Sequence, residues 1–110
     1  MEKSSLAELA GDLLVAARGA SSGRSAQTVH GGHAGVLRQT VIALAAGQRL
    51  DEHENPGDAT LQVLIGQVRL TSGEDGCDLT AGELVVIPQA RHALAALDDS
   101  VILLTVAKLA

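Results

Sequence analysis

The sequence predicts a mostly β fold, an antiparallel sandwich or barrel preceded by one short helix. Short runs rich in Val, Ile, Leu and Thr are interrupted about every eight to twelve residues by Gly, Pro, Asn or Asp, as in strands joined by tight turns. The chain has 110 residues, a usual length for one domain, and 46% of them are hydrophobic, which suffices for a core. We expect a helix and its connection over residues 1–24 and a β-barrel over residues 25–110, together forming one domain.

A helix is predicted to begin after Ser5 and to end at Gly19. Ser5 is followed three residues later by Glu8, which is the pattern of a capping box. Apolar residues then recur near helical spacing: Leu6, Leu9, Leu13 and Ala17. The small and polar residues 20–25 are expected to connect this helix to the first strand.

Eight strands are predicted after the helix, and tight turns join most of them. The strands cover residues 27–30, 36–45, 48–53, 60–65, 67–71, 84–87, 92–97 and 101–106. Residues 55–58 have the sequence Asn-Pro-Gly-Asp, which fits a type II turn. Residues 73–76 are expected to form a hairpin tip, with Cys77 beside it in the loop.

Several predicted strands are apolar on both faces. In the last one, Val101 and Leu103 alternate with Ile102 and Leu104. Such a strand needs cover on both sides, and only one helix is available to provide it. We therefore expect a homodimer, since a two-fold pair is the commonest closed assembly. The alternative is a monomer whose own helix and terminal strands cover the outer face.

Composition argues against several classes of function. The absence of Phe, Tyr and Trp removes the rings on which single-strand nucleic-acid binders stack bases. The formal charge is −5 with no cluster of Lys or Arg, so nucleic acid is not an expected partner. No apolar run reaches the length of a membrane span, and the N-terminus is unlike a signal peptide. We expect a cytoplasmic protein with no membrane partner, and its single cysteine gives no evidence of an oxidising compartment.

Two glycine-led segments carry the most specific signal in the chain. The first contains Gly47, His53, Asn55, Ala59 and Gly66, and the second contains Gly82, Pro88 and His92. Their spacing resembles the two signature motifs of the cupin superfamily over residues 36–106. The resemblance implies a small RmlC-like jelly-roll barrel, that is, an antiparallel double-stranded β-helix, which in this family is often dimeric.

The same resemblance implies a degenerate metal site. In cupins the first motif supplies two His and one Glu to a metal, and the second motif supplies a third His. Here Asn55 stands at the second His position and Ala59 at the Glu position. Only His53 and His92 match the family ligands, and His33 is a conceivable third ligand. A catalytic metal site usually has three protein ligands, so the cofactor is either absent or a divalent metal ion held in an unusual way.

The function predicted from these observations is the binding of a small, largely apolar molecule inside the barrel. His53 and His92 mark the pocket, and its expected lining is Gln39, Asn55, Ala59, Leu61 and Val63. We expect the neighbouring Arg38 to be solvated, because adjacent strand residues face opposite sides.

Three alternatives stay open at this stage, and the sequence does not decide whether the protein is an enzyme. One is a metal-dependent oxygenase or isomerase that uses His53, His92 and a non-standard third ligand. Another is a regulatory or accessory dimer that acts through its outer surface. The interior is also narrow enough that residues such as Val68 and Leu70 could simply fill it.

Overall fold

A computed structural model describes residues 1–53 and 57–108 of the chain, with His53 described by its backbone alone. Within these residues one helix, α1, precedes nine strands. The helix spans Leu6–Gly19, and the strands are β1 Arg24–His30, β2 Leu37–Leu44, β3 Arg49–His53, β4 Gly57–Ile65, β5 Gln67–Ser72, β6 Asp75–Thr80, β7 Leu84–Val86, β8 His92–Ala96 and β9 Ser100–Lys108. The predicted mostly β fold with one short N-terminal helix is confirmed.

The strands form two antiparallel sheets. The five-stranded sheet has the order β1-β2-β9-β4-β7, and the four-stranded sheet has the order β3-β8-β5-β6. The main core cluster draws apolar side chains from both sheets, including Val63 from β4 and Val68 from β5. This jelly-roll arrangement confirms the antiparallel barrel predicted from the spacing of turns and strands.

Alternation along each strand separates an inner face from an outer face. On β9, Ile102 and Val106 join the core between the sheets, whereas Val101 and Leu103 point the opposite way, toward the helix. The two-sided apolar pattern of this strand therefore has cover on both faces within one chain.

Helix α1 provides the cover on the outer face of the five-stranded sheet. The Ser5 hydroxyl accepts a hydrogen bond from the Glu8 amide at 3.3 Å, as the capping pattern predicts. The helix packs against β2 and β9, and its buried residues are Ala10, Leu13, Leu14 and Ala17. No helix in the described part of the chain is long and apolar enough to cross a membrane.

The segment 75–80 corrects the sequence prediction. The hairpin tip predicted at residues 73–76 is a turn at residues 73–74 that joins β5 to β6. The loop predicted at Cys77 is wrong, because Asp75–Thr80 is strand β6 and Cys77 pairs with Leu70 of β5. Gly and Asp have low β-propensity, so the local sequence does not indicate a strand, and pairing with β5 overrides it. The predicted turn at 55–58 lies partly outside the described residues, and Gly57 begins β4.

Candidate functional site

The two motif histidines lie at one end of the barrel, here called the histidine end. It contains the end of β3 at His53, the start of β4 at Gly57 and the start of β8 at His92. His53 and His92 are direct cross-strand partners, and the register between β3 and β8 shifts between Leu50 and His53. A bulge of this kind re-aims the strand next to a site. Pairing of distant strands thus brings together two positions that are far apart in sequence.

His92 is buried and its ring orientation is fixed. Its side chain is only 3% exposed, and its Nδ1 lies 2.9 Å from the carbonyl oxygen of Ala90. A carbonyl only accepts, so Nδ1 carries the hydrogen of this bond, and in the neutral ring Nε2 is the acceptor.

His92 lines a small apolar cavity in the core. The cavity holds about 30 Å³, and its other described lining residues are Leu50, Leu61, Leu70, Ile87, Leu94, Ile102 and Leu104. This space has room for about one or two water molecules. The interior of the barrel is therefore mostly filled by aliphatic side chains, and a larger ligand has to displace some of them.

Three of the predicted lining residues face the core along β4. Ala59, Leu61 and Val63 alternate on its inner face and are all buried. Leu61 borders the cavity beside His92, whereas Val63 is fully buried. Asn55 and the side chain of His53 lie outside the described residues.

The structure corrects the placement of Gln39. It lies on the outer face of β2 together with Val41, and its side-chain amide donates to the Thr105 hydroxyl at 3.2 Å. Ile42 and Leu44 lie on the inner face of this strand. Because side chains alternate along a strand, Arg38 lies on the same face as these two residues, and it is exposed at the histidine end. Gln39 therefore does not line the interior.

His33 lies in the exposed connection between β1 and β2. The Lys108 ammonium donates to the Gly32 carbonyl, which ties this connection to the end of β9. Among the described side chains, no group of three or more His, Cys, Asp or Glu is placed to hold a metal ion. Of the described residues that line the cavity, only His92 has a side chain of the kind that commonly binds a metal ion, that is, an imidazole, a carboxylate or a thiol.

A second apolar space was not foreseen from the sequence. It is a recess of about 160 Å³ at the edge where β6 and β7 end the two sheets, and its lining is Leu70, Ser72, Asp75, Gly76, Cys77, Val85 and Pro88. The pairing of Cys77 with Leu70 puts both on the inner face. The sequence would have indicated this recess only if residues 75–80 had been recognised as a strand.

Comparisons with solved structures show which known proteins share this fold. No protein-family model matches the sequence, and no curated protein matches it. A solved structure of a conserved protein of unknown function from Streptococcus pyogenes is 28% identical, with a TM-score of 0.74 over 83% of this chain and 79% of that chain. The cupin 2 conserved barrel domain protein from Leptotrichia buccalis is 26% identical, with a TM-score of 0.70 over 77% of this chain and 41% of that chain.

Further structures named as cupins or RmlC-like cupins share the fold at 18% to 24% identity. This chain has the cupin fold. The same fold occurs in the DMSP lyase DddQ from Ruegeria pomeroyi, at 20% identity and a TM-score of 0.67 over 76% of this chain and 46% of that chain. Proteins of this fold thus include an enzyme and a protein of unknown function. The activity of this chain therefore has to be argued from its own site.

Proposed function

We propose that this chain binds a small, largely apolar molecule at the histidine end of its barrel, and that His92 orients the ligand. The observation that carries the proposal is the burial of His92 in a cavity whose other described lining is aliphatic. Binding sites for small molecules are commonly apolar spaces with a few well-placed polar groups.

The fixed imidazole supports an orienting role. The Ala90 carbonyl oxygen lies 2.9 Å from Nδ1 of His92, so the ring is already held in one orientation before a ligand binds. Binding therefore does not have to supply the free energy for ordering this side chain. A site with one imidazole among aliphatic side chains suits a ligand with one polar group on an otherwise apolar skeleton.

The size of the cavity limits the ligand. A space of about 30 Å³ accepts little more than a water molecule, so binding requires the leucine side chains around it to move. Displacing well-packed core groups costs free energy. The ligand is therefore small, or only its tip reaches His92.

A fragment screen followed by side-chain NMR of the histidines tests this proposal. Neutral compounds with a single hydroxyl or amide group are expected to shift the His92 imidazole resonances, and His92→Leu is expected to abolish their binding. His33→Ala is the matched control, because His33 is exposed in the connection between β1 and β2. Hits that bind His92→Leu as well as they bind the wild type would refute the role of His92.

A metal-dependent oxygenase or isomerase is the second candidate. The direct pairing of His53 with His92 across β3 and β8 favours it, as does the bond from Nδ1 of His92 to a backbone carbonyl, a common partner of metal-bound imidazoles. The described donors do not complete a site of three protein ligands, so no reaction step is assigned to a metal.

Elemental analysis of protein purified without tags or chelators separates the two candidates. Metal near one ion per chain in the wild type, lost in both His53→Ala and His92→Ala, would support the enzyme. Metal far below one ion per chain would leave the metal-independent binding protein as the better proposal.

We also propose that the chain forms a homodimer, which would suit an accessory or regulatory role. Leu84 and Val86 of β7 remain 57% and 71% exposed on the outer face of the five-stranded sheet, beyond the part that α1 covers. Covering such residues favours association.

A further inference from the structure

The recess between β6 and β7 lies where the barrel is open. Among the described strands, β6 pairs only with β5 and β7 pairs only with β4, so no backbone ladder closes the barrel between them. The register between β5 and β6 points Cys77 to the same side as Leu70, which is the inner face. An opening of this kind exposes part of the core to solvent.

The residues that line the recess favour binding of an apolar group of a ligand. Its lining includes the apolar residues Leu70, Val85 and Pro88. The Ser72 hydroxyl also borders it and donates to the Arg91 carbonyl at 2.9 Å, so its hydrogen is already used. Asp75 is one of the lining residues, and its negative charge near the recess disfavours an anionic ligand over a neutral or cationic one.

The volume of the recess sets the size of that group. The recess measures about 160 Å³, and an engineered apolar cavity of about 150 Å³ is known to bind benzene. A single six-membered ring, or an aliphatic group of similar bulk, therefore fits this space.

Leu70 lies between the recess and the cavity beside His92. It lines both spaces, it is 5% exposed, and it is the one described residue that the two linings share. The two spaces therefore meet at the side chain of Leu70.

We propose that this recess is the entrance to the barrel, that it takes the ring-sized apolar group of a neutral or cationic ligand, and that Leu70 limits how far this group reaches toward His92. The inference rests on the proposed binding function and assigns it a location and a ligand class. It also assigns Leu70 a role in ligand size selection.

Alkylation of Cys77 by iodoacetamide reports on occupancy of the recess. The probes are benzyl alcohol, benzylammonium and benzoate. At a probe concentration about four times its Kd, benzyl alcohol or benzylammonium slows alkylation about fivefold, because only the vacant recess exposes the thiol. Benzoate is expected to bind at least about tenfold more weakly, so at the same concentration it slows alkylation by no more than about 1.4-fold. Equal protection by all three probes, or by none, would overturn the assignment of the recess.

Two neighbouring substitutions on β6 form a matched pair. Cys77→Leu fills the recess and is expected to abolish binding of benzyl alcohol measured by ligand-observed NMR. Asp78→Leu is the control, because Asp78 pairs with Arg69 on the outer face of the same strand and is not among the described residues that line the recess. Retained binding in Cys77→Leu would overturn the proposal.

Leu70→Ala tests the size limit, and Leu70→Val replaces it if the alanine variant does not fold. The probe 2-naphthylmethanol has one more ring than benzyl alcohol and is expected to bind the variant about tenfold more tightly than the wild type, with a shift of the His92 resonances. Unchanged affinity in the folded variant would overturn the role of Leu70. Fragments could shift the His92 resonances of the wild type without slowing the alkylation of Cys77. That result would support the proposed binding function and refute the assignment of the recess as the entrance.

Discussion

At the scale of single residues, the motif glycines hold backbone conformations that other residues rarely adopt. Gly47 and Gly66 both have a φ of +87°, and Gly82 has a φ of +90°. A Cβ on Gly66 would also lie 2.3 Å from the Asp99 carbonyl oxygen and 2.4 Å from the Ser100 hydroxyl oxygen, whereas one on Gly47 would meet nothing within 4 Å. The spacing by which the sequence resembles the cupin motifs is therefore partly a spacing of special backbone positions.

These two glycines allow backbone strain to be separated from steric clash. Gly47→Ala is expected to lower the free energy of unfolding by about 1–2 kcal/mol, the cost of a left-handed conformation. Gly66→Ala carries the same strain and a clash with Asp99 and Ser100, so its loss is expected to be larger. Urea denaturation measures both. Equal losses would show that the surroundings of Gly66 relax at no cost.

At the scale of elements, Asp99 connects three parts of the fold. Its carboxylate accepts a hydrogen bond from the Ala46 amide at 2.8 Å and another from Arg18 Nε at 2.6 Å. The backbone bond from Ala46, and then the bond from Arg18, hold the pKa of Asp99 below its usual value. One carboxylate thus joins the end of α1 to the turns after β2 and after β8.

This geometry predicts a dependence of stability on acid. Because the folded state lowers the pKa of Asp99, its stabilising contribution is present above the unfolded pKa, about 3.9, and disappears as the pH falls through the folded pKa. Asp99→Asn is therefore expected to be less stable than the wild type at pH 7, with the difference shrinking below about pH 4. Urea denaturation at several pH values measures this.

Arg18→Ala serves as the control for Asp99→Asn. It removes the second cause of the lowered pKa and leaves the Ala46 bond in place, so it is expected to keep most of the acid dependence. A difference between Asp99→Asn and the wild type that stays constant from pH 7 to pH 3 would contradict the prediction.

At the scale of the whole molecule, the distribution of exposed apolar residues bears on assembly. Helix α1 covers β2 and β9, but Val86 on β7 remains 71% exposed. If the proposed dimer forms here, sedimentation of the wild type gives twice the chain mass of 11.2 kDa, and Val86→Lys gives the monomer. Val15→Lys is the control, because Val15 is similarly exposed, at 68%, on the helix. A monomeric wild type would rule out the dimer.

Much of the fold and part of the site follow from local sequence signals. The pairing of Ser5 with Glu8 locates the start of α1, and apolar alternation locates most strands within a few residues. Strand β6 was missed because its Gly and Asp residues resemble a turn. Gln39 was placed in the interior, since nothing local indicates which face of β2 points inward.

The sequence by itself determined what depends on near neighbours: the helix cap, the strand periodicity and the glycine positions of the cupin-like motifs. The tertiary structure alone decided what depends on distant strands. The pairing of β3 with β8 sets His53 opposite His92, the pairing of β2 with β9 turns Gln39 outward, and the packing of two sheets leaves about 30 Å³ beside His92. Side-chain direction alternates with every residue, so a strand's register with its partners fixes which face becomes the site.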